Sequence, residues 1–123
     1  MISVQEVPFD QIKHLSQMDT GYAGFSKRKS PEIWFVAKQD KKIIGCSCLL
    51  LLSKKKVRLS NDFVLKEHRR KGVLKQMVSE REKWALEKKF ECIDVRAWEV
   101  DYCKFGYSLK KRYLKGAWYE KNL

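Results

Sequence analysis

A chain of 123 residues with 44% hydrophobic content can bury a single core without disulfide or metal staples, and is too apolar to remain disordered. Its 27 lysines and arginines against 15 aspartates and glutamates leave a net charge of +12, a field that draws polyanions such as nucleic acid, an anionic membrane or a phosphate-rich cofactor. The longest apolar run, residues 43–52, is about half of a roughly 20-residue membrane span, so the chain reads as one domain, residues 1–123, with no membrane partner.

The first residues, ISVQEV, read as a short strand and lack the cationic-then-apolar pattern of a leader. Residues 8–18 begin with Pro8 and set Phe9, Ile12, Leu15 and Met18 three apart, which predicts a short amphipathic helix. Residues 19–32 carry Gly, Ser and Pro and read as loop, with Lys27, Arg28 and Lys29 in solvent. Three strand-like runs follow at 33–38, 43–52 and 57–65, joined by polar turns, and together predict an antiparallel meander. From Gly72 to Lys89, positions Leu74, Met77, Val78, Arg81, Ala85 and Lys88 step by three and four, the spacing of a long helix. Residues 92–98 read as another strand, so strand, helix and strand imply a parallel crossover between 57–65 and 92–98. A short irregular or helical piece at 99–106 and two strands near 107–112 and 117–121 complete an α+β fold with a mixed sheet.

Cys46 and Cys48, two apart on a strand, share one face as small apolar fillers. With Cys92, Cys103, His14 and His68 they make no zinc or C-x-x-C spacing, so no metal is expected, and the setting reads as reducing and cytoplasmic.

The segment EHRRKGVLKQM, residues 67–77, falls where a strand gives way to the long helix. A helix start offers unpaired N–H groups and the positive end of a dipole to a phosphate. Gly72 lets a ligand approach the backbone, and Arg69, Arg70, Lys71 and Lys75 add charge-assisted contacts. The same residues also fit a tight connection with solvated cations, and the stretch alone does not separate the two.

Its wider context does. VLKEHRRKGVL, residues 64–74, resembles the pyrophosphate loop of the GNAT superfamily of acetyl-CoA-dependent N-acetyltransferases, with Arg69, Gly72 and Leu74 at the three defined positions. IWFVAKQDKKIIGCSCLLLL resembles the family's second and third strands, YCKFGY its late Y-E-K-L-G-F segment, and WYEKNL its final strand. The resemblance covers roughly residues 33–123 and implies a mostly antiparallel sheet flanked by helices, with a splay between the fourth and fifth strands. It further implies acetyl-CoA in that splay. The backbone of Phe63, Val64 and Leu65 would meet the pantetheine, with the Leu65 amide on the thioester carbonyl. Amides of Arg70, Lys71, Gly72, Val73 and Leu74 would surround the pyrophosphate. Leu74 stands where the family carries a small residue, and residues 98–101 are shorter than the family's usual segment.

The implied activity is direct acetyl transfer to an amine, small or macromolecular, by a monomer or homodimer. Tyr102 occupies the position of the family's general acid. Asp62, Glu67 and Glu99 are candidates for the general base, with Asp62 preferred on its central strand. Asp62 also reads as a strand-end carboxylate paired with Arg58 or a lysine. Cys103 reads as a buried thiol rather than a nucleophile, and Trp34, Trp84 and Trp98 as core or cofactor-wall residues. Coenzyme phosphates account for the cations near Gly72 but not for Lys110, Lys111, Arg112 and Lys115, which stand among Tyr107, Tyr113 and Trp118. Basic residues mixed with aromatics suit nucleic acid. The alternative reading is therefore a catalytically degenerate relative that binds nucleic acid or another anionic partner.

Overall fold

The computed structural model describes residues 1–11 and 31–123. Among the described residues the strands are, in chain order, β1 (Ile2–Val7), β2 (Glu32–Gln39), β3 (Lys42–Leu51), β4 (Lys56–Val64), β5 (Cys92–Ala97), β6 (Ser108–Arg112) and β7 (Ala117–Asn122), with the α-helix α1 (Val73–Glu87) between β4 and β5. Short 3-10 turns occur at Phe9–Gln11, Lys66–His68 and Tyr102–Phe105. The expected helix over 8–18 begins as the first of these turns, and its remainder lies outside the described residues, as does most of the expected loop.

All seven strands form one sheet in the order β1-β2-β3-β4-β5-β7-β6. Every neighbouring pair is antiparallel except β4 with β5, which run parallel. The meander and the parallel crossover are therefore as the sequence predicts. The β2–β3 hairpin closes on Asp40 and Lys41 with φ of 51° and 70°. Two successive left-handed residues make the turn whose twist matches a hairpin.

The helix buries Val73, Met77, Val78, Arg81 and Ala85 against one face of the sheet. That face contributes Leu49, Val57, Leu59, Ile93, Val95 and Tyr119 to the main core. The stripe runs slightly differently from the expected one: Val73 is fully covered, while Lys88 points into solvent. The opposite face packs Trp34, Val36, Cys46, Cys48, Leu50 and Phe63 together, so the two cysteines share one side as small fillers. Among the described residues no helix is long and apolar enough to cross a membrane.

Candidate active site

The segment after β4 leaves a helix start with open backbone amides. Val64 ends the strand, the chain turns through Lys66–His68, and Gly72 caps α1 with φ 83°. Gly72 has no side chain to cap the helix, and the first intrahelical bond is Gln76 N–H to the Gly72 carbonyl at 3.0 Å. The amides of the first turn therefore lack helical acceptors and point outward. A Cβ built on Gly72 would meet nothing within 4 Å, so the cradle is open where a ligand would enter. Arg70 is also left-handed, with φ 63°, a conformation that costs a non-glycine residue about 1–2 kcal/mol. Arg69 Nε donates to the Val64 carbonyl at 2.9 Å and ties the loop back onto the strand. The side chains of Arg69, Arg70, Lys71 and Lys75 are exposed. Val73 is buried and Leu74 packs on the core beneath the helix, so both offer only backbone to the cradle.

The strands beside this loop separate. Parallel pairing joins Lys56–Leu59 of β4 to Cys92–Val95 of β5 and goes no further. Beyond it, β4 stays with β3 and β5 with β7. The register pairs Gly45 with Val64, and the Leu65 amide donates to the Ile44 carbonyl at 2.8 Å. In an antiparallel ladder that pattern makes Gly45 and Val64 a non-hydrogen-bonded pair. The amides of Phe63 and Leu65 then face β3, and the Val64 amide faces the opening. This corrects the expectation for Leu65: its N–H is already used, and Val64 is the residue whose N–H faces the opening. Gly45 makes the close approach possible, since a Cβ there would lie 2.7 Å from the Phe63 carbonyl.

At the point of separation β4 carries a bulge. Asn61 and Asp62 together oppose Ser47, and Asn61 is left-handed at φ 53°. The extra residue reverses the alternation of side chains. Asp62 is aimed under the helix, while Phe63 is buried on the other face. There the Tyr102 hydroxyl donates to Asp62 Oδ2 at 2.5 Å, and Arg81 Nη2 lies 2.7 Å from Asp62 Oδ1. Arg81 is wholly buried; its Nε donates to the Met77 carbonyl at 3.2 Å and its Nη1 to the Cys48 carbonyl at 3.1 Å. Tyr102 is 3% exposed, with its ring against those of Phe105, Tyr107 and Tyr119. Burial, then the facing Asp62 carboxylate, pushes the phenol above its ordinary pKa. Tyr102 therefore keeps its proton through the neutral range, and that proton sits on the line to Asp62.

Two expected site residues are thus in direct contact, and a third group, Arg81, completes the set. The periodicity counted Arg81 only as one more position in the helix stripe. An arginine inside an otherwise apolar stripe is the signal that could have found it, because an arginine is almost never fully buried unless paired. Arg58, a considered partner of Asp62, instead makes a two-point contact with Asp94 at 2.8 and 3.0 Å. Glu67 and Glu99 are exposed, on a turn and after β5 respectively. Cys103 is exposed rather than buried, and its hydrogen bond to Asp101 raises the thiol pKa, which disfavours a thiolate. Trp34 is core and Trp84 donates to Glu6 at 3.1 Å. Trp98, by contrast, is 74% exposed.

A family model for the acetyltransferase (GNAT) family matches residues 3–107. Solved structures share the fold at low identity. One is a GNAT family acetyltransferase from Elizabethkingia anophelis with acetyl-CoA bound, 15% identical, with a TM-score of 0.73 over 99% of this chain and 98% of that one. Another is the PaiA N-acetyltransferase from Thermoplasma acidophilum in complex with coenzyme A, 14% identical, with a TM-score of 0.76 over 100% and 99%. A GNAT family acetyltransferase from Staphylococcus aureus Mu50 is 16% identical, with a TM-score of 0.78 over 100% and 99%. A comparison with curated proteins finds no sequence match. With the family model covering most of the chain, and the splayed sheet and glycine-capped helix both present, the chain belongs to the GNAT family of acetyltransferases.

Proposed function

We propose that this protein is an N-acetyltransferase that uses acetyl-CoA and transfers the acetyl group directly to an amine. The observation that carries the reading is the contact between Tyr102 and Asp62 at the bulge, where β4 has just left β5. The residues present fit the coenzyme: an uncapped helix start, an open left-handed glycine and exposed cations suit a pyrophosphate, and the Val64 amide suits a carbonyl oxygen in the splay. Bound acetyl-CoA would supply an acetyl group already activated as a thioester.

Each residue then has a task. Amides from Arg70 to Leu74 hold the phosphates, and Arg69 fixes the loop to Val64. The Val64 N–H polarises the carbonyl. Tyr102 holds a proton at Oη for the departing sulfur, and Asp62 accepts a proton at its carboxylate. The two are hydrogen-bonded, so a proton received by Asp62 can restore the one that Tyr102 gives away. The proton lost by the amine ends on the thiol, with no net uptake from solvent. Arg81, 2.7 Å away, holds the Asp62 carboxylate in place. The four cysteines are free thiols, which suits the reducing, cytoplasmic setting proposed for the chain.

Acetyl-CoA at 100 times its Kd should stabilise the protein by about 2.7 kcal/mol, and a matching amine should release free thiol from it. Gly72→Val should abolish the stabilisation, because a β-branched residue is strained at φ 83° and its side chain fills the cradle. No rise in Tm at millimolar acetyl-CoA would sink the reading.

A further inference from the structure

The charge that the coenzyme loop leaves unexplained gathers at one end of the sheet. Residues 102–117 hold five lysines and arginines and no carboxylate. Here β6 is the free edge and is exposed at every residue. Directly opposed residues share a face of a sheet, and the register runs Arg96 to Trp118 to Lys111 across β5, β7 and β6. Their neighbours Val95 and Tyr119 point into the core beneath α1, so this row faces the other way. Trp118 is fixed, since its Nε1 donates to Asp94 at 3.0 Å and Lys56 covers its ring at 5.3 Å.

Two other rings are exposed at this end. Trp98, one residue past β5, is 74% exposed, and among the described residues its ring has no aromatic contact and no hydrogen bond. Tyr113 is 43% exposed, with Lys111 Nζ 5.5 Å from its ring. Tyr113 opens the β6–β7 turn, in which a Cβ on Gly116 would lie 3.3 Å from Trp98 Cα, so the turn carrying one ring rests on the backbone of the other. Arg96, Lys110, Lys111 and Lys115 are exposed and have no ion-pair partner among the described residues. Tyr107, which the sequence grouped with this surface, is buried and donates to Glu82 at 2.8 Å.

We propose that this end of the sheet binds single-stranded nucleic acid, with unpaired bases stacking on Trp98 and Tyr113 and the phosphates running past Arg96, Lys110, Lys111 and Lys115. Unpaired cations attract any polyanion. Exposed rings beside them select a polyanion that also offers flat π faces, which a single strand does and a duplex or an acidic peptide does not. The proposal goes beyond acetyl transfer and does not depend on it.

Fluorescence anisotropy of labelled 20-nucleotide oligothymidylate and oligouridylate tests it, and binding of either supports it. Affinity should fall with salt along a log–log slope of about −2.8, from −0.7 for each of four phosphates. Trp98→Ala and Tyr113→Ala should each weaken binding by about fivefold or more, with unchanged circular dichroism because both rings are exposed. Lys110→Glu with Lys111→Glu should flatten the salt slope. The proposal is overturned if both ring variants bind as the wild type does, or if polyglutamate or duplex DNA binds as tightly as the single strand. Binding to anionic vesicles alone would also overturn it, and so would self-association that Trp98→Ala abolishes in a protein that binds no oligonucleotide.

Discussion

Replacing Arg81 by methionine tests the frame of the proposed catalytic pair, Tyr102 and Asp62. The guanidinium is wholly buried, 2.7 Å from Asp62 Oδ1, and donates to the carbonyls of Cys48 and Met77. Methionine can fill much of the same space, so the loss is mainly electrostatic: among the described residues Asp62, whose side chain is 17% exposed, is left with the Tyr102 hydroxyl. Breaking one side of a buried pair costs about 3–5 kcal/mol. In a chain of this length that is a fall in Tm of roughly 10–20 °C. Urea unfolding followed by circular dichroism would read it as a lower midpoint with an unchanged slope. Adding Asp62→Asn should restore most of the lost stability, because no uncompensated charge then remains. A loss below about 1 kcal/mol, or a double variant no better than the sum of the singles, would refute a coupled buried pair.

Tyr102→Phe keeps the ring packing but removes the hydroxyl, and should lower kcat by about 10²- to 10⁴-fold with little change in KM for acetyl-CoA. It should also cost about 1.5–3 kcal/mol of stability, the worth of a hydrogen bond to a charged group; an unchanged turnover would remove Tyr102 from the chemistry. Asp94→Asn tests the polar cluster on the face away from α1. Burial raises the Asp94 pKa, but hydrogen bonds from Arg58 and Trp118 outweigh it and the carboxyl lies below its ordinary value. A depressed folded pKa gives stability that is complete above the unfolded value of about 3.9 and is lost as pH falls through the folded one. The wild type should therefore exceed Asp94→Asn by about 1.5–3 kcal/mol at pH 7, and acid titration of the melting temperature should show the gap closing below about pH 4.

The strands and the long helix were legible because each is a local pattern. Ile33–Lys38 and residues 43–52 run apolar between polar turns, and α1 steps by three and four. Gly72 could be placed at a helix start for the same reason, since it stands between a strand-like run and a run spaced by three and four. Trp98 was read as core or cofactor wall because tryptophan usually buries its ring, and nothing local says that the chain ends its strand one residue earlier. The role of the Leu65 amide was misplaced because amide direction follows the register of the ladder, and register depends on the partner strand.

The sequence by itself determined the order of the elements and the parallel crossover, while its resemblance to a known family singled out Tyr102 and left Asp62 as one of three candidate carboxylates. Their contact was decided in three dimensions. Simple alternation from Val57 and Leu59 would turn Asn61 and Phe63 toward the helix, and the bulge opposite Ser47 turns Asp62 there instead. Tyr102 arrives from 40 residues further along the chain, and Arg81 from the crossover helix. Side-chain direction within a strand is a local property only while the pleat is regular. Once one residue is inserted, the neighbouring strand and the helix above it decide which group is buried and which partner it meets.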